Sequence, residues 1–278
     1  VIWGAAACAR AGPALSSRLP WPRRQAEIQL SSQIPERPKF AISGMVPTLN
    51  GTGFMFEVRD GYAEEFIHFA GKTGGPVLDI GCAYGVATIP ALEAGARVVA
   101  CDMEPGHLEI LQQNVGASLR AHLTCMTGAL PGVDFPAASF RAILCSRVLH
   151  FLTGEEIDAS VAKMARWLQP GGRLYLVADT PYGIWRNFIP TFEENKRRGV
   201  RWPGMMVGLH NWLPTPGLQK HIEKPAFMNL LDAELLARIC ADAGLRVKRA
   251  TFIDRCDFKG LGSLDGRENA GVLAVKPL

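Results

Sequence analysis

The chain has 278 residues, of which 48% are hydrophobic and 20% charged. That make-up is ordinary for a globular protein with one sizeable core, and it excludes collagen-like and repeat arrays. The net charge of +4 lies in residues 1–44, where Arg10, Arg18, Arg23, Arg24, Arg37 and Lys39 face only Glu27 and Glu36; the remainder balances at 24 basic against 24 acidic residues. A nucleic-acid binder carries its basic excess on the folded body, so nucleic acid is not expected as a partner. The seven cysteines are odd in number and contain no Cys-x-x-Cys pair. This argues for a reducing compartment, the cytoplasm, and against a disulfide scaffold or a zinc site. No apolar run reaches the roughly 18 residues of a membrane span.

Residues 1–44 are rich in Pro and without period, and residues 1–26 contain no acid. They read as an irregular extension, with a targeting segment or a stretch upstream of a start at Met45 as alternatives. A helix is expected over Phe56–Ala70, where Tyr62, Phe66 and Phe69 share one face. An alternation follows. Strand Val77–Ile80 precedes helix Val86–Glu93, strand Arg97–Asp102 precedes helix His107–Leu119, and strand Leu123–Met126 comes next. Strand Arg141–Ser146 is followed by helix Glu155–Trp167, a turn at Gln169–Gly172 and strand Gly172–Asp179. Strands alternating with helices imply an α/β fold, a doubly wound parallel sheet.

Residues 180–225 interrupt that rhythm with six prolines and a set of aromatics, Tyr182, Trp185, Phe188, Phe192, Trp202 and Trp212. Helix Asp232–Ala243 and strands Arg246–Phe252 and Ala270–Lys276 complete the chain. The Gly-rich connection between the last two strands suits a hairpin, so the final strand is expected to run antiparallel. The organisation is then an extension (1–44), a core domain (45–179 and 226–278) and a lid insertion (180–225).

The segment Asp79-x-Gly81-x-Ala83-x-Gly85 places small residues between a buried strand and a helix start. Small residues let the backbone approach a ligand, and the free N–H groups of a helix start suit a carboxylate. Asp79 at the strand end can accept from an ammonium. Asp102 ends the next strand and suits a ribose diol. A dinucleotide-binding fingerprint would need glycine at Val86, which disfavours a nicotinamide-dependent oxidoreductase.

The stretches Val77–Gly85, Val98–Met103, Phe140–Phe151 and Leu168–Leu174 resemble the first, second, fourth and fifth-strand motifs of class I S-adenosylmethionine-dependent methyltransferases, of the small-molecule type. The resemblance covers 77–179 by motif and 230–278 by topology. It implies a Rossmann-like seven-stranded sheet with an antiparallel last strand, and S-adenosylmethionine as cofactor. It places Asp79, Gly81, Cys82, Ala83, Gly85, Asp102, Met103, Gly128, Ala129 and Cys145 around that cofactor. Two departures stand out. Ala83 occupies a position where the family often has Gly, which is harmless unless the position needs a positive φ. Thr127–Leu130 lacks the acid many members use for the adenine amino group, which leaves apolar walls such as Met103 and Leu130.

Methyl transfer from a sulfonium is an in-line displacement that needs alignment and, for some acceptors, a base. It calls for no metal and no protein nucleophile. His150, after the fourth strand, is the candidate base, and Tyr182 a candidate for positioning the acceptor. Tyr84, Trp185, Trp202, His210 and Trp212 are candidate acceptor contacts. A small-molecule acceptor methylated on O, N or S is expected, and a homodimer is compatible with the sequence. The alternatives are a protein or RNA methyltransferase and a non-catalytic S-adenosylmethionine-binding regulatory domain. For the former, the Asn/Asp-Pro-Pro-aromatic signature of amino-group methylation is replaced by Ser146-Arg147-Val148-Leu149.

Overall fold

The computed structural model describes residues 36–37, 44–213, 225–258 and 262–278. Most of the 1–44 extension and residues 214–224 of the insertion lie outside them. A short antiparallel hairpin, β1 (Met45–Pro47) and β2 (Phe54–Phe56), precedes helix α1 (Gly61–Lys72). Then come β3 (Pro76–Ile80), α2 (Thr88–Glu93), β4 (Arg97–Asp102), α3 (Pro105–Asn114) and β5 (Leu123–Thr127). The second half holds β6 (Phe140–Ser146), α4 (Gly154–Trp167) and β7 (Leu168–Asp179). The insertion contributes α5 (Ile189–Arg197) and β8 (Met205–Val207), which pairs with β9 (Phe227–Asn229). Helix α6 (Ala233–Asp242), β10 (Arg246–Ile253) and β11 (Asn269–Val275) close the chain.

The main sheet has seven strands in the order β10-β11-β7-β6-β3-β4-β5. β3 to β7 pair in parallel, and β11 is antiparallel to both β7 and β10. The doubly wound sheet with an antiparallel last strand is therefore the observed fold. From β3 the chain winds outward one way through β4 and β5, then returns to place β6 on the other side. This leaves a crevice at the carboxyl ends of β3 and β6, the usual ligand position in open α/β sheets.

Alternating residues divide the core between the sheet's two faces. Leu78, Ile80, Ile143, Leu174 and Leu176 pack on one side with α4 and α6, and Val77, Val98, Leu144, Tyr175 and Val177 on the other with α1, α2 and α3. The described part of the insertion adds Phe188, Phe192, Met206 and Leu209 to the first of these clusters.

Helix ends follow local chemistry. α1 begins at Gly61, not at Phe56 as expected, because the Asp60 carboxylate accepts from the N–H groups of Tyr62 and Ala63, both at 3.0 Å. Phe54–Phe56 is drawn into the hairpin instead. Thr153 and Glu156 form a reciprocal capping box at the start of α4. α3 stops at Asn114, short of Leu119, where Val115 turns extended. The turn at Gln169–Gly172 is a bulge inside β7: Leu168 pairs with Phe140 and Arg173 with Ala142, with Gly171 at φ +74°.

α1 lies close against the sheet at Gly271 of β11. A Cβ there would sit 2.3 Å from Cε2 of the buried Tyr62 ring. Gly271→Ala is therefore expected to cost about 1–3 kcal/mol through overpacking. Urea unfolding measures this, and an unchanged midpoint would show that the ring yields freely.

Candidate functional site

A cavity of about 530 Å³ opens at the carboxyl edge of the sheet. Its floor is set by the strand ends: Asp79 and Ile80 of β3, Asp102 of β4, Gly128 after β5, Ser146 and Arg147 of the β6 end, and Asp179 of β7. The β1–β2 hairpin covers one side through Thr48, Asn50, Phe54 and Phe56.

The loop after β3 is held from both sides. Gly81 and Cys82 donate to Cys101 O of β4, at 2.8 and 3.2 Å. Gly81 has φ +75°, and a Cβ there would meet Val148 Cγ2 at 2.2 Å, so glycine is required on both counts. Ala83 is also left-handed, at φ 44°. It is the Ala that stands where the resembled family often has Gly, and it meets the one condition that makes the exchange costly. Its N–H donates to Asp102 Oδ2 at 2.8 Å. Gly85, at φ +89°, packs toward Leu111 and lies outside the cavity lining.

Asp102 is buried and accepts three bonds. Besides Ala83, Oδ1 accepts from Glu104 N at 2.9 Å and from His107 Nδ1 at 3.0 Å. His107 Nε2 in turn accepts from Leu49 N in the hairpin turn, at 3.0 Å. That acceptance fixes the imidazole proton on Nδ1. A carboxylate offers about four acceptor positions, so Asp102 retains capacity for a ligand hydroxyl, chiefly on Oδ2. Asp79 is differently placed. Its Oδ2 accepts from the Thr88 hydroxyl at 2.6 Å. Burial, with a smaller contribution from the negative Asp102, raises its pKa to about 6. Cys82, Met103, Gly128, Ala129 and Leu130 complete this end of the lining, with Met103 exposed at the rim.

Besides Gly85, six of the expected site residues are placed elsewhere. Cys145 is fully buried in the core of β6, between Ile80 and Leu176, and its strand neighbour Ser146 lines the cavity instead. Tyr84 turns away from the cavity, its hydroxyl donating to Pro47 O at 2.8 Å and its ring edge-on to His107. Tyr182 bonds Glu193 and lies under the Arg267 guanidinium, 3.7 Å from ring centroid to Cζ, on another surface. Trp202 packs over Gly154 at the start of α4, flanked by Arg201 and Arg238. His210 is exposed and Trp212 packs against Phe188 while its Nε1 donates to Val207 O; neither lines the cavity. Of the insertion's aromatics, Trp202 docks the insertion onto α4 and Trp212 packs within it.

His150 and Trp185 do line the cavity. His150 is buried, and its Nδ1 accepts from the Asp179 N–H at 3.1 Å. A neutral imidazole has one lone pair for this purpose, so its proton sits on Nε2. Burial lowers the His150 pKa, and the nearby Arg147 adds to that against the pull of Asp179. The side chain is therefore set to donate a hydrogen bond; the expectation of a resting general base does not match this arrangement.

Residues with no sequence-level role also reach the site. Arg147, at φ 59°, Asn269 and Glu268 line its polar end, and Phe54, Phe56, Phe151 and Phe258 its aromatic wall. The hairpin had a signal in Asn50-Gly51 between apolar runs, which favours a tight turn. The charged end had none, because Arg147 and Asn269 meet only through the antiparallel return of β11.

Residues 77–172 match the methyltransferase domain family. The cypemycin N-terminal methyltransferase of a Streptomyces species is 34% identical over 110 residues, covering 39% of this chain and 43% of that protein. A demethylmenaquinone methyltransferase of Paenarthrobacter aurescens is 32% identical over 124 residues, covering 44% and 46%. The chain thus spans about half the length of the curated relatives it matches. Among solved structures, the Burkholderia thailandensis 1,6-didemethyltoxoflavin-N1-methyltransferase superposes with a TM-score of 0.53 at 17% identity, covering 79% of this chain and 80% of that one. At that identity the likeness speaks for the fold. Residues 77–172 thus match a methyltransferase domain, set in the seven-stranded fold that solved S-adenosylmethionine-dependent methyltransferases share.

Proposed function

We propose that the chain transfers a methyl group from S-adenosylmethionine to a small, largely apolar acceptor. The observation that carries this reading is one cavity in which the Asp79–Asp102 end is continuous with an aromatic wall of Phe54, Phe56, Phe151, Trp185 and Phe258. Its volume suits ligand binding, and apolar walls with a few placed polar groups are what such sites need. When bound, S-adenosylmethionine supplies a methyl on a positively charged sulfur, and transfer to an acceptor lone pair leaves the neutral thioether.

The chain's own residues fit that group. Asp102 retains an acceptor position for a ribose hydroxyl. Met103 and Leu130 offer apolar contact for a base. Asp79 is a buried carboxylate with a single side-chain donor on it, which suits the cofactor's ammonium. The hairpin residues that line one side of the cavity favour a small molecule over a protein or RNA acceptor. The experiment that tests the whole reading is incubation with labelled S-adenosylmethionine and metabolite pools, followed by mass identification of the product. Label transfer to protein or RNA alone would move the reading to the large-substrate class, and S-adenosylhomocysteine binding with no transfer to a non-catalytic domain.

Two narrower outcomes follow from the carboxylates. Asp102→Ala removes a charge-assisted contact and should weaken S-adenosylhomocysteine binding by about 1–3 kcal/mol. Calorimetry with unchanged affinity would sink the ribose assignment. In the fold, burial pushes the pKa of Asp79 up to about 6, above the 3.8 of a free aspartate. Its contribution to stability is therefore present below pH ~4 and lost as pH rises through ~6. A bound ammonium favours the ionised form and reverses this. S-adenosylhomocysteine should bind about tenfold more weakly at pH 5 than at pH 7, and Asp79→Asn should flatten that dependence. A flat profile in the unsubstituted protein would remove Asp79 from the ammonium site.

A further inference from the structure

The guanidinium of Arg147, at the polar end of the cavity, is only partly satisfied. Its Nη2 donates to Asn269 Oδ1 at 2.8 Å and its Nη1 to Ser146 Oγ at 3.3 Å. The nearest carboxylate oxygen, Asp60 Oδ2, is 3.5 Å from Nη1, and Nε is buried with no partner among the described residues. Asp60 uses its other oxygen to cap α1.

The surrounding carboxylates are otherwise committed. Asp257 is taken bidentately by Arg255, at 2.8 and 2.6 Å. Glu268 accepts from the backbone N–H groups of Leu264, Asp265 and Gly266 on one oxygen and of Arg255 on the other. Asp179 accepts from Asn269 Nδ2. Arg147 is thus a mostly buried guanidinium whose ion-pair partner, Asp60 Oδ2, stands at 3.5 Å without a hydrogen bond, an arrangement that an oxygen ligand on the cavity side would complete. Burial holds its pKa below the usual arginine value, with Arg255 adding repulsion.

Two further donor-bearing side chains, Trp185 and His150, line the same cavity. Trp185 Nε1 is buried and has no partner among the described residues. His150 carries its proton on Nε2, as its Nδ1 bond requires. The left-handed backbone at Arg147 is strain of the kind found at binding sites. From these three donors on an aromatic wall, we infer that the methyl acceptor presents an oxygen lone pair, as a carboxylate, ionised hydroxyl or carbonyl, on an apolar body, and that Arg147 selects it. This rests on the methyltransferase reading above. The same chemistry exists in the cofactor's own carboxylate, so the test separates the two sources.

The full chain saturated with S-adenosylhomocysteine is titrated with 1-naphthoate, 1-naphthol and 1-naphthylmethylamine. The naphthoate should bind at least about tenfold more tightly than the amine of similar body. Arg147→Met should remove that preference while S-adenosylhomocysteine affinity stays within about twofold. Trp185→Phe, which keeps the ring and deletes one donor, should weaken naphthoate alone. Equal or tighter binding of the amine, or no naphthoate binding at millimolar concentration, overturns the inference even if Arg147→Met fails to fold. Weakened S-adenosylhomocysteine binding in Arg147→Met with naphthoate binding intact also overturns it and assigns Arg147 to the cofactor's carboxylate. Failure of the unsubstituted protein to bind S-adenosylhomocysteine would instead overturn the underlying methyltransferase reading.

Discussion

The site depends on the Asp102 carboxylate. Its three accepted bonds gather three separate segments at one strand tip: the loop after β3 through Ala83, the start of α3 through Glu104 and His107, and, by way of His107, the hairpin turn at Leu49. Magnitudes explain why this works with Ala at position 83. A left-handed L-residue costs roughly 1–2 kcal/mol, and a hydrogen bond to a charged group returns about 1.5–3 kcal/mol. The bond outweighs the strain, so the loop keeps its shape without the glycine.

The neighbouring carboxylate has the opposite character. Asp79 and Asp102 end adjacent parallel strands, yet Asp102 is surrounded by N–H donors while Asp79 has one hydroxyl and a buried setting. Burial raises the cost of ionising Asp79, and the anion at the adjacent strand tip adds to it, which pushes its pKa up to about 6. This is a stability cost of the empty fold that a cationic ligand offsets. Perturbed carboxylates of this sort cluster at functional sites.

The fold was legible in the sequence because period and punctuation agree along most of the chain. The buried parallel strands read as apolar runs, and the connection before Asn269–Val275 was of the right length and composition for an antiparallel return. The misreadings have a common cause: apolar period overruled a capping signal. Extending a helix back to Phe56 ignored Asp60, whose carboxylate caps α1 and releases Phe54–Phe56 to pair with Met45–Pro47. The insertion's aromatics invite a role as acceptor contacts by residue type alone, whereas Trp202 packs on Gly154 of α4 and Trp212 on Phe188. Trp185 alone among the insertion's candidates reaches the cavity, and no local pattern distinguishes it from Trp202.

The acceptor end shows why hydrogen-bond direction matters more than residue type. A histidine after the fourth strand invites the role of base. In the fold, the Asp179 N–H occupies its Nδ1 lone pair and reverses that role. An acceptor that arrives already ionised, or that carries a carbonyl beside its nucleophilic atom, does not require a base; it requires donors that hold it in line with the methyl. Arg147, Trp185 and the Nε2–H of His150 are such donors, gathered from β6, the β7 exit and the turn after β6. Arg147 and His150 leave β6 three residues apart, and Trp185 joins them from the exit of β7. β11, returning antiparallel beside β7, adds Asn269 against Arg147, so the last strand of the sheet also contributes to the polar wall against which an acceptor would be chosen.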